Sequence, residues 1–332
     1  MKLLVTGGLG YIGSHTVLDL LEKGFEVIIF DNLSNSEAST KLSLQQLSKK
    51  QVTFVNGDLR DFSSLSSVFD SHKIGKVLHF GGLKSISESV LYPADYYYNN
   101  VVGTLNLLKA MRCAGVTEMV FSSSASVYGK PQKLPLIEES ETGGLTNPYA
   151  RTKLMIEHIL RDYAKSESDW AFKVLRYFNP VGAHKSGFLG ERPSGIPNNL
   201  MPFICQVAAG ERSHLAVYGN DYNTRDGTGT RDYLHVIDLA EGHASALQYK
   251  SNGFNVWNLG TGKDYSVLEV IAAFERVNRL KVDYQIVARR DGDVASCFAN
   301  ADKAKAELNW SATRTLDEMV EDAWRFQYVS SN

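Results

Sequence analysis

The chain has 332 residues, which is enough for one large α/β domain and a smaller second one. Its formal net charge of −2 argues against nucleic acid or a membrane surface as the main partner. An anionic substrate would therefore have to be bound by a few local arginines or lysines. Cys113, Cys205 and Cys297 show no C-x-x-C spacing, and such a sparse set is typical of reduced thiols in a cytoplasmic protein.

The apolar stretches are short. The run Leu3-Leu4-Val5 falls far below the apolar core of a signal peptide, and no stretch approaches the ~18 residues that span a bilayer. We therefore expect a cytoplasmic protein that contacts no membrane. The histidines show no metal-ligand spacing, so no metal site is predicted.

Short β-rich runs alternate with helical patterns along the first half of the chain. Strands are predicted at 3–6, 27–30, 53–55, 77–80, 119–122 and 173–177. Helical spacing between the first two strands predicts a helix that ends at Gly24. Such alternation implies right-handed crossovers and a sheet covered on both faces. The predicted fold class is α/β, with a Rossmann-like doubly wound parallel sheet.

The second half begins with a long Gly/Pro/Asn-rich stretch from about Asn179, and ordered loops of that length are usually functional. Further on, 266–269 and 315–318 each fit a capping box that opens a helix. The second of these helices carries an apolar stripe, formed by Leu316, Met319, Val320, Ala323 and Phe326.

Two domains are predicted, because the regular alternation of strands and helices ends where the Gly/Pro/Asn-rich stretch begins. A dinucleotide-binding domain is predicted over 1–180. The segment of about 231–262 could rejoin it, because 255–259 also resembles a strand. A smaller mixed α/β domain, which would bind the substrate, covers 181–332.

Gly7, Gly10 and Gly13 form a turn with glycines three residues apart. Among 27 glycines this spacing arises by chance roughly 0.2 times in such a chain, so its context must decide. The turn follows a strand and opens a helix, and Asp31 ends the next strand 18 residues after Gly13. Because glycines let the main chain approach a pyrophosphate, this arrangement indicates a dinucleotide site. The alternative is an ordinary strand–helix turn with a surface aspartate.

Asp31 also distinguishes between cofactors. Its carboxylate can accept from the ribose 2′-hydroxyl of NAD but would repel the 2′-phosphate of NADP. No arginine occurs in 31–36, so NAD is predicted. The stretch 260–263 resembles the end of a nucleotide-binding P-loop, but Trp257 and Asp264 occupy positions that such a loop requires to be Gly and Ser or Thr.

Tyr149 and Lys153 lie four residues apart at the start of a predicted helix, so both side chains should share one face. We interpret Tyr149 as a tyrosinate base. Its pKa of about 10 would have to fall by ~3 units to act near neutrality, a stabilisation of ~4 kcal/mol. A nearby ammonium and the positive nicotinamide ring could supply it. A half-buried tyrosine beside a solvated lysine is the alternative.

Ser122-Ser123-Ser124 ends a strand at the carboxyl edge of the predicted sheet, where ligands of such folds bind. Ser124 could therefore share the substrate hydroxyl with Tyr149. A run of serines can also be a plain turn.

Seven stretches together resemble a known family, and they extend almost from end to end: 7–13, 122–129, 149–153, 176–183, 195–202, 231–236 and 289–293. The chain resembles the extended short-chain dehydrogenases/reductases and, within them, the UDP-glucose 4-epimerases. The resemblance implies reversible epimerisation at C4 of UDP-hexoses. In such enzymes the C4 hydroxyl is oxidised by tightly bound NAD, the 4-ketose turns over in the pocket, and hydride returns to its opposite face.

The resemblance also implies residue roles. Tyr149 would take the C4 hydroxyl proton, Ser124 would assist it, and Lys153 would hold the nicotinamide ribose and tune Tyr149. Beside the glycines, the positions matching those that line NAD are Tyr11, Ile12, Asp31, Asn32, Asn35, Ser36, Asp58, Leu59, Phe80, Lys84, Asn99 and Phe178. Those matching UDP-sugar contacts are Asn179, Asn199, Leu200, Ala216, Tyr218, Arg231, Tyr233, Arg290 and Asp293.

Arginine side chains suit the charge of a UDP-sugar. A diphosphate with about two negative charges needs local cations, and the guanidinium groups of Arg231 and Arg290 are suitable forks. Without the resemblance, both arginines would be interpreted as surface ion pairs, as would Asp58 and Lys84.

The chain departs from the family pattern at two places. Ala150, Arg151 and Thr152 replace the usual residues between the catalytic pair, which changes neither catalytic position. Cys297 stands where many bacterial members carry tyrosine beside the sugar. We hypothesise that the smaller side chain leaves room for UDP-N-acetylglucosamine and UDP-N-acetylgalactosamine; a simple packing change is the alternative.

Two other functions remain in view. A nucleotide-sugar 4,6-dehydratase would need an acid and a base where this chain has Ala125-Ser126. A non-catalytic NAD-binding regulatory module would not need Ser124, Tyr149 and Lys153 together. The resemblance also suggests a homodimer, formed through helices near 100–112 and 150–164.

Overall fold

The structure is a computed structural model that describes residues 1–192, 195, 197, 199–290 and 292–331. Ile196 and Asn198 of the stretch 195–202, and Asp291 of the stretch 289–293, lie outside the described residues.

The strands follow in chain order: β1 Lys2–Thr6, β2 Glu26–Asp31, β3 Thr53–Asn56, β4 Ile74–His79, β5 Glu118–Ser122, β6 Ala171–Tyr177, β7 Asn179–Val181, β8 Leu215–Tyr218, β9 Thr230–Arg231, β10 Tyr233–His235, β11 Gly253–Leu259, β12 Tyr265–Ser266, β13 Tyr284–Val287 and β14 Ser296–Cys297. The α-helices are α1 Tyr11–Glu22, α2 Ser39–Ser48, α3 Phe62–Ser71, α4 Ile86–Leu91, α5 Pro93–Tyr96, α6 Gly103–Cys113, α7 Pro148–Ser166, α8 Leu200–Ala208, α9 Val236–Gln248, α10 Val267–Asn278, α11 Asp302–Leu308 and α12 Leu316–Ser331. A π-helix spans Tyr97–Val102 and a 3₁₀-helix spans Ala125–Tyr128.

The main sheet has seven strands in the described part of the chain, in the order β3-β2-β1-β4-β5-β6-β11. The pairs from β3 to β6 are parallel, with Val5 opposite Ile29 on one side and Leu78 on the other. The strand order reverses at β1, so the carboxyl ends of β1 and β4 flank the switch point where ligands of such folds bind. This arrangement confirms the predicted Rossmann-like fold, including the return of a strand at 255–259.

The chain divides into two compact units. The first comprises Met1–Gly129, Glu141–Arg176 and Ala240–Trp257, and the second comprises Lys130–Ser140, Tyr177–Leu239 and Asn258–Asn332. The assignment of NAD binding to the first domain and of UDP-sugar binding to the second remains a prediction.

The core of the first unit lies between the sheet and its helices. Apolar residues of the central strands, such as Val77 and Phe121, pack with Leu107 of α6 and with Ile156 and Leu160 of α7. Helical spacing places these side chains on the inner faces of α6 and α7, which fixes both helices against the sheet. The long helix α7 thus gives a rigid support to any side chain on its buried face.

The second unit has its own core, formed by α8, α10 and α12 with β8. Both predicted capping boxes are confirmed. Ser266 accepts from the amide of Glu269, and the Glu269 carboxylate accepts from the Ser266 amide at 2.7 Å. Thr315 and Glu318 make the same reciprocal pair. In the described residues, no helix has both the length and the apolar character needed to cross a membrane.

Candidate active site

The glycine turn between β1 and α1 brings one main chain against another. Gly7 has a φ of +67°, and a Cβ atom there would lie 2.7 Å from the amide nitrogen of Gly81, just beyond β4. A Cβ at Gly13 would collide with the carbonyl oxygen of Gly7. Gly10 precedes α1 and supplies no side-chain cap. The N–H groups at such a helix start, together with the helix dipole, favour a phosphate.

Asp31 joins the glycine turn to the loop after β2. Its carboxylate is buried and accepts from the amide of Leu9 at 3.1 Å, from the amide of Leu33 at 2.9 Å and from the Ser36 hydroxyl at 2.8 Å. These bonds fix an acceptor group beside the turn, where the ribose of a dinucleotide would be recognised.

Asp58 forms an ion pair rather than standing alone. It accepts from Asn32 Nδ2 at 3.0 Å and from Arg60 Nη2 at 2.7 Å. The hydrogen bond from Arg60 is the main reason why the pKa of Asp58 lies well below its ordinary range. The carboxylate is therefore charged at any physiological pH and can orient Asn32.

The other side chains predicted to line NAD occupy the first unit, except Phe178, which belongs to the second. The Lys84 ammonium lies 6.0 Å from the ring centroid of Tyr11. The Phe80 ring centroid lies 4.6 Å from that of His243. Ile12 lies in the first turn of α1, and Leu59 belongs to the core of the first unit. Asn35 follows β2 in the same loop as Ser36. Asn99 lies in the π-helix. The crowded glycines, the uncapped helix start and Asp31 together fit a bound dinucleotide.

Tyr149 and Lys153 share one face of α7, as their spacing predicts, and both side chains are buried. The helix begins here because Asn147 accepts from the amide of Ala150 at 2.8 Å and Pro148 occupies the first turn. Lys153 Nζ donates to the carbonyl oxygen of Ser122 at 2.8 Å and lies 6.0 Å from the ring centroid of Tyr149. The lysine is thus held beside the tyrosine by the end of β5.

The environment of Lys153 changes its acidity. Burial lowers the pKa of the ammonium from 10.5 to about 8, and the negative charge of Glu157, one turn further along α7, opposes that shift. The ammonium form therefore prevails at neutral pH. A positive charge close to a phenol favours the tyrosinate, which is the form that a general base requires.

Ser124 follows β5 and caps the 3₁₀-helix. Its Oγ accepts from the amide of Ser126 at 3.1 Å. The neighbouring Ser123 is fully buried and donates through Oγ to Glu157 Oε1 at 2.6 Å. The serine run is therefore a hydrogen-bonded structure at the carboxyl edge of the sheet.

In the second unit, several residues predicted to bind a UDP-sugar gather around β9 and β10. Tyr233 of β10 lies opposite Asn179 of β7, and Cys297 of β14 lies opposite Arg231 of β9. Arg231 Nη2 lies 3.4 Å from Asp293 Oδ1. Burial raises the pKa of Cys297 to about 11, so its thiol is neutral.

The remaining predicted substrate residues lie on β8 and α8. The Arg290 guanidinium stacks over the ring of Tyr218 at 4.3 Å from its centroid, while Ala216 lies earlier in the same strand. Asn199 donates to Glu191 Oε1 at 2.8 Å, and Leu200 begins α8. A guanidinium group that stacks on an aromatic ring can still donate through its N–H groups to an anionic ligand.

Sequence reasoning missed several buried polar groups beside these residues. His79 is neutral, because burial lowers its pKa to about 3, and it bonds Thr6 at 2.7 Å and Thr104 at 2.9 Å. Asp232 accepts from the amides of Thr261, Gly262 and Ala299, and Glu157 pairs with Arg176. The available signal was position: Glu157 follows Lys153 by one turn, and Asp232 separates Arg231 from Tyr233.

Comparisons with known proteins agree with this geometry. A family model described as GDP-mannose 4,6 dehydratase matches residues 4–323. The UDP-glucose 4-epimerase of Erwinia amylovora is 54% identical over 329 residues, 98% of this chain and 98% of the relative. That of Yersinia enterocolitica is 52% identical over 332 residues, 100% of this chain and 99% of the relative. The crystal structure of UDP-glucose 4-epimerase from Bifidobacterium longum, in complex with NAD+ and UDP, matches with a TM-score of 0.97 and 48% identity, covering 100% of this chain and 99% of that one. The chain therefore belongs to the UDP-glucose 4-epimerase family.

Proposed function

We propose that this protein is an isomerase that interconverts UDP-galactose and UDP-glucose, by reversible epimerisation at C4 with tightly bound NAD. The observation that carries the proposal is the buried Tyr149–Lys153 pair, which lies in the same unit as a glycine turn that fits a dinucleotide. The 54% identity to a full-length UDP-glucose 4-epimerase supports the same activity.

Tyr149 is the proposed acid–base group. It takes the proton from the C4 hydroxyl when C4 is oxidised and gives a proton back when C4 is reduced. The Lys153 ammonium favours its deprotonated form, and the Ser124 hydroxyl would hydrogen-bond the same substrate oxygen. When bound, NAD would supply the acceptor for the hydride that leaves C4 and the donor that returns it. Inversion then requires that the 4-ketose present its other face before it is reduced.

The sugar must turn over while the substrate stays bound, so the nucleotide must be bound tightly. Arg231 and Arg290 are the proposed diphosphate contacts, since each carries a guanidinium group in the second unit. The resemblance assigns the same task to Asn179, Asn199, Leu200, Ala216, Tyr218, Tyr233 and Asp293.

Cys297 bears on the substrate range. Its side chain is far smaller than tyrosine, and β14 holds it opposite Arg231. We propose that UDP-N-acetylglucosamine and UDP-N-acetylgalactosamine are therefore also accepted. Turnover of UDP-galactose without any measurable rate on UDP-N-acetylgalactosamine would contradict this.

A 4,6-dehydratase is the second candidate, because the matching family model carries that description. The strand-end position where a dehydratase would place its acid and base is Ala125-Ser126 here, and neither side chain is a carboxylic acid. Elimination of water across C5 and C6 would lack its proton carriers. A non-catalytic NAD-binding module is disfavoured because Ser124, Tyr149 and Lys153 occur together.

The experiment is a coupled assay that detects UDP-glucose formed from UDP-galactose. Protein purified without added cofactor should be active and should release NAD on denaturation. Tyr149→Phe should lose at least about 100-fold in rate while keeping its NAD. Full activity in that variant would refute the role of Tyr149, and a 4-keto-6-deoxy product would establish the dehydratase.

We also propose a homodimer formed through helices near 100–112 and 150–164. Leu105 of α6 and Met155 of α7 are exposed large apolar side chains on these helices, and Tyr98 of the preceding π-helix is exposed as well. Leu105→Glu combined with Met155→Glu should yield a monomer in light scattering. That the enzyme works in the cytoplasm remains a prediction from its sparse cysteines and its short apolar stretches.

A further inference from the structure

Glu157 and Arg176 form a buried ion pair next to the proposed catalytic groups. Arg176, near the end of β6, donates through Nε to Glu157 Oε1 at 3.0 Å and through Nη2 to Glu157 Oε2 at 2.6 Å. Side-chain exposure is only 3% for Arg176 and 2% for Glu157, so both charges are removed from water. A buried pair of this kind rarely stabilises a fold more than well-packed apolar residues would. A functional reason for this ion pair lies in the residues that it contacts.

Glu157 anchors the segment before Ser124. Ser123 Oγ donates to Glu157 Oε1 at 2.6 Å, while the Ser123 amide donates to the carbonyl oxygen of Leu175 at 2.9 Å. Ser123 is thus fixed to both α7 and β6. Its neighbours in the chain are Ser122, whose carbonyl oxygen binds Lys153, and Ser124 itself.

Arg176 contacts the segment after Ser124. Its guanidinium stacks over the Tyr128 ring at 4.9 Å from the centroid, and Tyr128 ends the 3₁₀-helix that Ser124 caps. Ser124 therefore lies between two anchors, Ser123 on one side and Tyr128 on the other, and both lead to the same ion pair.

Glu157 also faces Lys153 along α7, since residues four apart share a helix face. Among the described residues, the groups near the ammonium include Tyr149 on α7, the carbonyl oxygen of Ser122 and the Phe121 ring on β5, and His79 on β4. His79 is neutral at physiological pH, and Arg176 on β6 is already paired with Glu157. The Glu157 carboxylate is therefore the negative charge that offsets the burial of Lys153.

We propose that Glu157 is a positioning residue for the reaction: through Ser123 and Arg176 it fixes Ser124 at both ends, and its charge keeps Lys153 protonated. This inference rests on the proposed roles of Tyr149, Lys153 and Ser124. It predicts two separable effects of Glu157, one on the geometry of the serine and one on the pH range of activity.

The test compares kcat against pH, NAD content and melting temperature in four variants. Glu157→Gln and the double variant Glu157→Gln/Arg176→Gln remove the negative charge, and the double variant avoids leaving Arg176 buried and unpaired. In Glu157→Gln, kcat should fall at least about tenfold, and the alkaline limb of its pH profile should move by roughly one pH unit toward acid, because Lys153 then loses its proton earlier. In the double variant kcat should fall similarly, but the limb should move by less in the same direction, because the positive charge of Arg176 is removed as well. NAD content should not change.

Two variants keep the charge. Glu157→Asp and Ser123→Ala should lower kcat by several-fold through the lost contact to Ser123, while the alkaline limb stays in place. Glu118→Gln is the matched control, since Glu118 pairs with the buried Lys173 at the opposite end of β5 and β6 at 2.8 Å. It should lower the melting temperature without moving either the alkaline limb or kcat.

The proposal is overturned if the folded double variant keeps both the kcat and the alkaline limb of the original enzyme, or if Ser123→Ala and Glu157→Asp leave kcat unchanged. Tyr149→Phe separates this result from failure of the proposed function. If Tyr149→Phe is inactive and the Glu157 variants are normal, only the positioning role fails. If Tyr149→Phe is fully active, the assignment of Tyr149 itself is wrong.

Discussion

Replacing Gly7 by alanine tests the glycine turn directly. Gly7 has a φ of +67°, a left-handed conformation that costs a non-glycine residue about 1–2 kcal/mol. Its Cβ would also lie 2.7 Å from the Gly81 amide nitrogen, 0.7 Å inside the 3.4 Å of ordinary contact (3.4 minus 2.7). Because the obstacle is main chain, the turn or the end of β4 must move, at a further cost of typically 1–3 kcal/mol.

Gly115 provides a matched control. Its φ is +69°, but a Cβ there would meet nothing within 4 Å in the described structure. Gly115→Ala should therefore carry the conformational cost of about 1–2 kcal/mol alone. Both variants should fold, since domains are stable by about 5–15 kcal/mol.

The assay measures NAD released on denaturation of protein purified without added cofactor, together with the free energy of unfolding in urea. Gly115→Ala should retain as much NAD as the original protein. Gly7→Ala should lose at least about 90% of it, because a displacement approaching 1 Å separates the turn from the position that a tightly held ligand requires. Equal NAD content in the two variants would refute the argument that close main-chain approach at Gly7 forms the cofactor site.

Three further predictions concern the remaining side chains. Lys153→Met removes a group whose pKa burial lowers from 10.5 to about 8, so between those pH values the unfolded chain holds a proton that the folded chain has lost. The difference in unfolding free energy between the original protein and this variant should therefore increase as the pH rises from 8 to 10.5. The increase should reach up to about 3 kcal/mol, at about 1.36 kcal/mol for each of the 2.5 pH units. A difference that does not change with pH in urea unfolding would contradict this prediction. Cys297→Tyr should lower the rate on UDP-N-acetylgalactosamine at least about tenfold relative to the rate on UDP-galactose in the coupled assay, because an aromatic ring would fill the space beside the sugar. An unchanged ratio of these two rates would show that Cys297 does not determine the substrate range. Arg290→Lys, which loses the stacked, planar fork over Tyr218, should raise KM for UDP-galactose about tenfold with kcat and NAD content nearly unchanged, and a loss confined to kcat would exclude a simple binding role.

Sequence patterns were sufficient for the main sheet. The strands predicted at 3–6 and 119–122 are confirmed within one residue at each end, because apolar runs of this length bounded by turn residues favour a buried strand over a helix. The return of 255–259 to the sheet is confirmed as well. By contrast, no pattern in 130–140 indicates that this segment belongs with the second unit. Its attachment depends on Leu136, whose amide and carbonyl groups bond Phe298 and Asn300, and such long-range pairing leaves no local periodicity.

The residues of the candidate site likewise fall into two groups, those with a short-range sequence pattern and those defined by long-range contacts. The glycine turn, Asp31 and the Tyr149–Lys153 pair carry short-range spacing, and spacing is visible in a sequence. The functions of Asp232 and His79 depend on partners far away in the chain. Asp232 bonds the amide of Thr261, and His79 bonds Thr6 and Thr104. The position of Asp232 between two predicted site residues marks it as a candidate. However, an isolated aspartate or histidine looks the same in a sequence whether it is solvated or enclosed, so the burial and the partners of Asp232 and His79 could not be predicted before the fold was known.

Helix α7 shows why the most informative residues are also the hardest to interpret from pattern alone. An amphipathic interpretation would bury Ile156 and Leu160 and expose Lys153 and Glu157, but the structure buries all four. Two charges can enter the interior only because other elements supply partners: the carbonyl oxygen of Ser122 on β5, and Arg176 on β6. Each partner lies where a strand of the parallel sheet ends. The helix is therefore apolar where it packs against the middle of the sheet and charged where it passes the carboxyl edge, and this change along a single face is what a ligand site at that edge requires.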